Sequence, residues 1–321
     1  MATSTCPLAN SQYYLMLADE STWGTVGTTW YHLPVNKYGV KFRPSSRQAR
    51  PKAGTMQGKH FSNTKGMVAG SIDTALYGFA AGASTTVSLM EKLLTWGFGD
   101  SESVCTSSKS SEWGLAGTDY GNKQHLGMRV DSVVLRGSED QDFISMTLNV
   151  VGQNESNSTF AMEALPSDAN GITEVEFTNV DFYIGANSGS LALLPIRAFV
   201  LQRNRKQQVH YLGSNRPTYI GAAVCETNLV IAPMKLDRDN DVLLRALGSQ
   251  EQYGRLIIKG SHVGTLSTGD LAVAQIDMPR MSLMDKDDTD DREGFTFEQL
   301  QWSVIKPDTT DNSVVLTYST E

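Results

Sequence analysis

No stretch of about 18 consecutive apolar residues occurs in the 321-residue chain, so no ordinary membrane-spanning helix is expected. The opening MATSTCPLANSQYY has neither a basic region nor an apolar core behind it, and no secretory signal is expected. Cysteine is scarce: Cys6, Cys105 and Cys225 are odd in number and scattered. They form neither a CxxC metal pair nor a disulfide framework, and read as free thiols of a reducing compartment. The histidines, His32, His60, His125, His210 and His262, stand apart with no HxH or HxxxH spacing. GxSxG, P-loop and GxGxxG signatures are missing, and Gly97-Phe98-Gly99 follows a helical pattern instead of opening one.

Basic charge is also short, with 27 Lys and Arg against 35 Asp and Glu, a net charge of −8. That balance disfavours a protein that grips DNA phosphates tightly. It suits a wall past which DNA slides without sticking. Two acidic runs fail the calcium-loop test. In LDRDNDVLL (from Leu236) the place of the required Gly is Val242 and that of the required Glu is Gly248. In DKDDTDDRE, Asp285 to Glu293, the Gly position counted from Asp287 is Arg292, so the run reads as a solvated loop. Asn154 and Asn157 open glycosylation sequons with no secretory context. A β-rich polysaccharide-processing enzyme would need two carboxylates about 5 to 9.5 Å apart, and no acid pair has a recognisable arrangement. No catalytic group, cofactor or metal is therefore expected.

What the chain has in quantity is strand pattern. Ile144, Met146, Leu148 and Val150 alternate with Ser145, Thr147 and Asn149, the period of a half-buried strand. RVDSVVLRG (Arg129 to Gly137) precedes it across the turn-rich GSEDQD, which predicts an antiparallel hairpin. Ile172, Val175 and Phe177, with Glu174 and Glu176 opposite, predict another strand, and SVVLTYST (Ser313 to Thr320) a last one. Ser88 with Glu91 is a capping box for a short helix carrying Met90, Leu93 and Leu94, with Gly97 as its stop. Asp239 or Asp241 can cap a second one carrying Leu243, Leu244 and Leu247, stopped by Gly248.

These features recur. KGMVAGSIDTALYG (Lys65 to Gly78) has a cousin in IGAAVCETNLVIAP (Ile220 to Pro233). Tyr38–Phe42 matches Ile196–Val200, Gly97 matches Gly248, Phe143 matches Phe295, and the strand from Ser158 matches that from Ser313. The spacing stays near roughly 155 positions throughout, a repeat of architecture with little shared text. Two domains, 1–165 and 166–321, are expected to meet near Pro166–Gly171. The fold class is mainly β with short helices: two similar sandwich or barrel units, each with one flanking helix. Ser101 to Gly127, with Trp113 and Tyr120, has no visible twin and reads as an exposed insertion or a neighbour-binding arm.

Before each copy of the repeated strand lies a basic stretch longer than about 12–15 residues, the length at which loops are functional or disordered. The first runs from Arg43 to Lys65 and carries Arg47, Arg50 and Lys52; the second, Gln202 to Pro217, carries Arg203, Arg205, Lys206 and Arg216. The ordered series DESTWGTVGTTWYHLPVNKYGVKF, the long loop, KGMVAGSIDTALYG and VDSVVLRGSEDQDFISMTLNVVGQ resembles the tail tube (major tail) proteins of long-tailed phages. LPIRAFVLQRNRKQQVHYLGSNRPTYIGAAVCETNLVIAP resembles the second-half opening of that family.

The resemblance implies a virion structural protein, assembled in the host cytoplasm and inserting in no membrane. Its barrel-like units would form rings that stack into a hollow tube for DNA delivery. Long loops would reach the next ring, giving the eight basic residues above a contact role. Tape-measure, tail-terminator and baseplate proteins would be partners, and double-stranded DNA a transient, non-specific passenger. Two units per chain imply a trimeric, pseudo-sixfold ring, with a hexamer as the alternative. A baseplate or tail-completion protein that stops at one ring is the alternative function. Asp131, Ser145, Thr147, Asn149, Glu174 and Glu176 are candidates for a net-negative lumen.

Overall fold

The computed structural model describes residues 13–28, 30–49, 60–78, 89–99, 108–115, 122–157, 174–222, 224–234, 251–260, 272–292, 295–307 and 312–320. The first half contains β1 (Tyr13–Asp19), β2 (Trp30–Leu33), β3 (Lys37–Tyr38), β4 (Lys41–Ala49) and β5 (His60–Ala75). Helix α1 (Leu89–Leu94) and a π-helical turn (Thr95–Gly99) follow, then β6 (Lys109–Leu115), β7 (Lys123–Ser138), β8 (Gln141–Gly152) and β9 (Asn154–Asn157). The second half opens with a 3-10 turn (Phe177–Asn179) and β10 (Val180–Gly185), β11 (Ala192–Leu193) and β12 (Ile196–Asn204). A small hairpin of β13 (Gln207–His210) and β14 (Tyr219–Ala222) leads to β15 (Glu226–Pro233) and β16 (Gln252–Lys259). Strands β17 (Ala272–Arg292), β18 (Phe295–Val304) and β19 (Val315–Thr320) complete it.

Each half is organised around one long strand that serves two sheets. The start of β7 lies between β6 and β9, in the antiparallel order β2-β1-β6-β7-β9. Its later part joins the order β4-β5-β8-β7. In the second half β17 plays the same part, giving β11-β10-β16-β17-β19 and β12-β15-β18-β17. Even the irregularities match: β7 bulges between Val130 and Ser132 against β8, and β17 between Leu283 and Asp285 against β18. A bulge places one unpaired extra residue in a strand, so coincidence at the same step is a mark of common architecture. β7 also pairs with β12, Ser132–Ser138 against Ala198–Asn204, and so joins the two four-stranded sheets edge to edge.

The alternation read from the sequence builds the core. Ile144, Met146, Leu148 and Val150 are buried, while Ser145, Thr147 and Asn149 stand on the other face. Leu300, Trp302 and Val304 of β18 occupy the same inner row, and Leu229 and Ile231 of β15 lie beside them. One contiguous apolar cluster draws on both halves, with Phe177 stacked on Phe199 at 6.3 Å. The expected boundary at Pro166–Gly171 lies outside the described residues, as do the second capped helix and the strand from Ser158.

Several expectations change. Gly97 does not stop the helix; it is buried in the π-helical turn, where a Cβ would come within 2.7 Å of Met146 and 3.0 Å of Val133. The chain needs glycine there to lie against the β7–β8 sheet. Segment 101–127 contains β6, an inner strand between β1 and β7, with Ser110, Ser111 and Glu112 buried; its twin is β16. Of the strand expected from Ile172, Glu174 and Glu176 make isolated bridges to Tyr77 and Phe143, and the chain then turns. Gly221 belongs to β14, and the counterpart of β5 is β15, which starts only at Glu226. Both basic stretches are partly strand: β4 continues to Ala49 against His60, and the second holds β13. The acidic run from Asp285 is not a loop but the end of β17, paired with β18 as far as Arg292. Polar residues on both strand faces give no alternation to read, yet backbone pairing forms regardless.

Candidate functional site

With the core on one side, the two joined four-stranded sheets present one continuous opposite face. Strand β8 contributes Ser145, Thr147 and Asn149, β5 contributes Ser71 and Asp73, and β7 contributes Ser132 and Arg136. Gln202, Asn228, Gln301 and Ser303 continue it across the second half. Asn149 donates to Ser132 Oγ at 2.8 Å, so neighbouring strands are also laced on this side. This face carries every second residue of strands whose other residues fill the core, and it is mixed: Val134, Val151, Val200 and Val230 share it with the polar groups.

The remaining lumen candidates sit elsewhere. Asp131 is the bulge residue of β7; its carboxylate accepts the Gln207 amide at 2.7 Å and its carbonyl accepts the Arg205 amide at 2.8 Å. Glu174 and Glu176 lie at the end of the sheet, Glu174 accepting the Tyr77 hydroxyl at 3.5 Å. Burial and the Glu174 charge push the Tyr77 hydroxyl up to about 12.

The basic candidates divide sharply. Arg43 is exposed on β4, on the open face. Lys206 is exposed, left-handed in backbone, and paired with Glu226 at 2.6 Å; Arg216 is exposed near the hairpin tip. Arg203 and Arg205 are fully buried and donate to the carbonyls of Phe98 and Gly97 at the end of the π-helical turn. They satisfy helix-end carbonyls that would otherwise be orphaned, so within the chain their guanidinium groups are turned inward and not toward solvent. The Arg47 side chain, Arg50 and Lys52 lie outside the described residues.

The hairpin β13–β14 folds down on its own chain. Arg129, buried, donates to the Ile220 carbonyl and lies between the rings of Trp23 (5.8 Å) and Tyr219 (6.0 Å). The Gly66 amide donates to the Asn215 carbonyl at 3.0 Å, Gln153 donates to the Pro217 carbonyl at 3.1 Å, and Lys65 sits 4.9 Å over the Tyr211 ring. Leu212 at the tip is 77% exposed, the most exposed large apolar residue among those described.

A buried polar chain escaped the sequence reading. The Tyr38 hydroxyl lies 2.8 Å from His125 Nδ1 and 2.8 Å from Ser111 Oγ, and His125 Nε2 is 3.2 Å from Glu155. A carboxylate only accepts, so Nε2 carries the proton, Tyr38 donates to Nδ1, and Ser111 donates to Tyr38. Burial holds His125 below its ordinary value despite Glu155, and raises the Tyr38 hydroxyl. Burial also pushes Glu155 up, but the Phe42 amide (2.9 Å) and His125 together hold its carboxyl below the usual range. Ser111 and His125 have almost no exposed surface. The members of this polar chain come from four separate strands, and no local spacing announces them. Among the described residues no group of three or more His, Cys, Asp or Glu is placed to hold a metal ion.

No curated protein matches the chain. The sequence model of one family, described as phage tail tube protein, matches residues 11–229, from β1 through the β7–β12 joint and into β15. A match over more than half the chain, on a mainly β fold, places this chain in the phage tail tube protein family.

Proposed function

We propose that the chain is a non-catalytic virion protein that closes into three-membered rings, which stack into the tube through which phage DNA is delivered. The observation that carries this reading is the β7–β12 joint. It connects two halves of the same strand order, so it is itself a unit-to-unit contact inside one chain. The outer ends of the joined sheet are then β4 and the later part of β17, which are paired on one side only among the described residues. Repeating the joint between chains, β17 to the next β4, is a head-to-tail contact that closes when the rotation closes.

Size favours three. Strands about 4.8 Å apart and tilted about 40° give a closed sheet about 48 Å across for three chains and about 95 Å for six. The smaller ring passes a duplex on the order of 20 Å wide, with room for side chains and water. The polar face would line the channel, where small hydroxyl and amide groups give phosphates little to hold. Exposed hairpin residues such as Leu212 and Arg216 would then meet adjoining rings, and the tape-measure, terminator and baseplate proteins would cap or fill the tube.

Cryo-electron microscopy of the concentrated protein tests this. Long tubes with three chains per ring are expected. Six chains per ring would overturn the count, and single unstacked rings would favour a tail-completion role.

A further inference from the structure

We propose that the two open edges are charge-matched to each other, Arg43 facing Asp285 and Lys41 facing Asp287 of the next copy. This rests on the ring reading above and assigns its contact residues.

The register gives the pairing. In the first half Lys41, Ala69 and Val151 lie in line across β4, β5 and β8. In the second, Gln202, Asn228 and Ser303 lie in line across β12, β15 and β18. Lys41 thus holds the place of Gln202, and Arg43 that of Asn204. Counted from the shared bulge, Ser132 and Val134 oppose Asn149 and Thr147, whereas Asp285 and Asp287 oppose Gln301 and Gln299. Asp285 therefore holds the place of Ser132, and Asp287 that of Val134. Within the chain Asn204 pairs with Ser132 and Gln202 with Val134. Translating that joint to the open edges sets Arg43 against Asp285 and Lys41 against Asp287.

Charge is concentrated where this requires it. Residues 37–43, KYGVKFR, carry Lys37, Lys41 and Arg43 and no acid. Residues 285–291, DKDDTDD, carry five aspartates and Lys286. The in-chain joint has no such contrast: Ser132–Ser138 and Ala198–Asn204 each hold a single arginine, and no acid. Lys37, Lys41 and Arg43 are exposed in the free chain. Lys41 and Arg43 lie on the polar face, where unneutralised cations would hold passing phosphates. Facing aspartates would cancel them.

The β4 edge is also limited in length. Pro44 has no amide hydrogen and the outward Phe42 amide is already bonded to Glu155 at 2.9 Å, so beyond Lys41 a facing strand would be met by side chains and not by amide donors of β4. Gly39 donates inward to Ser71, so the odd-numbered amides point toward β5. Viewed from outside, Lys41 and Arg43 are then non-hydrogen-bonded positions, where facing Cα atoms approach to about 4.5 Å and side chains meet closely. Opposite charge across an edge directs encounter and excludes the wrong orientation: two β4 edges repel, and so do two β17 edges.

Three variants of the full chain test this by negative-stain microscopy and sedimentation, with circular dichroism confirming folding. Lys41→Glu/Arg43→Glu and Asp285→Lys/Asp287→Lys should each stay monomeric where the unaltered protein forms rings, and the fourfold variant should assemble again. Mixing the two double variants should restore association, but only in alternation. Closed rings from that mixture need an even number of chains, so they would refute the trimer while leaving the pairing intact. Oxidised Arg43→Cys/Asp285→Cys should give disulfide-linked multimers that Arg43→Cys alone does not. Double variants that assemble like the unaltered protein overturn the charge matching. An unaltered protein that forms no rings overturns the ring reading instead.

Discussion

The side chains that most constrain this molecule are polar and buried. His125 is neutral in the fold because burial outweighs the attraction of Glu155. An unfolded histidine takes up a proton as pH falls through about 6.5, while the folded one resists until its lower value is reached. Stability is therefore complete above that range and declines as pH falls between the two values. Glu155, also held low, adds loss of the same sign further down as pH falls through its folded value. A thermal-melting series from pH 7.5 to 5 should show falling midpoints, and His125→Gln should flatten the decline below 6.5. An unchanged slope in that variant would remove His125 as the cause. Tyr38→Phe, which strips the donor from Nδ1 and the acceptor from Ser111, should cost about 1–3 kcal/mol in denaturant unfolding.

Among the elements, the hairpin β13–β14 shows how a polar segment becomes ordered. Its own strands bury little, and its position is set by Arg129, Asp131, Gly66 and Gln153 of the first half. Arg129→Met removes a charged donor from the Ile220 carbonyl and the contact with two rings. A loss of about 2–3 kcal/mol is expected, with faster hydrogen exchange across 207–222. Exchange unchanged in that segment would show that other contacts hold the hairpin. Strands with one apolar face were legible in the sequence: the β7–β8 hairpin, the inner rows of β8, and the core side of α1. The ends of β4 and β5, β6 and the hairpin were not, because they are polar on both faces or are buried through hydrogen bonds. Arg203 and Arg205 misled for a related reason, since composition does not distinguish a solvated arginine from one closing a helix end.

At the scale of the whole chain, duplication has not produced two independent bodies. The apolar cluster crosses the β7–β12 joint, and arginines of the second half bond to the turn after α1. Leu201→Ala, in β12 at a fully buried site, should cost about 2–5 kcal/mol. It should lower one shared calorimetric transition; two separate transitions, only one of them shifted, would show that the halves unfold apart.

The sequence by itself determined the class of fold, the approximate twofold repeat and the net-acidic charge balance, because strand alternation and net charge are local or additive. Tertiary structure alone decided which strands are twins, that two basic residues are buried, and that a basic edge and an acidic edge occupy equivalent ends of the sheet. Those facts depend on register, and register is set by which backbones pair across tens of residues of chain.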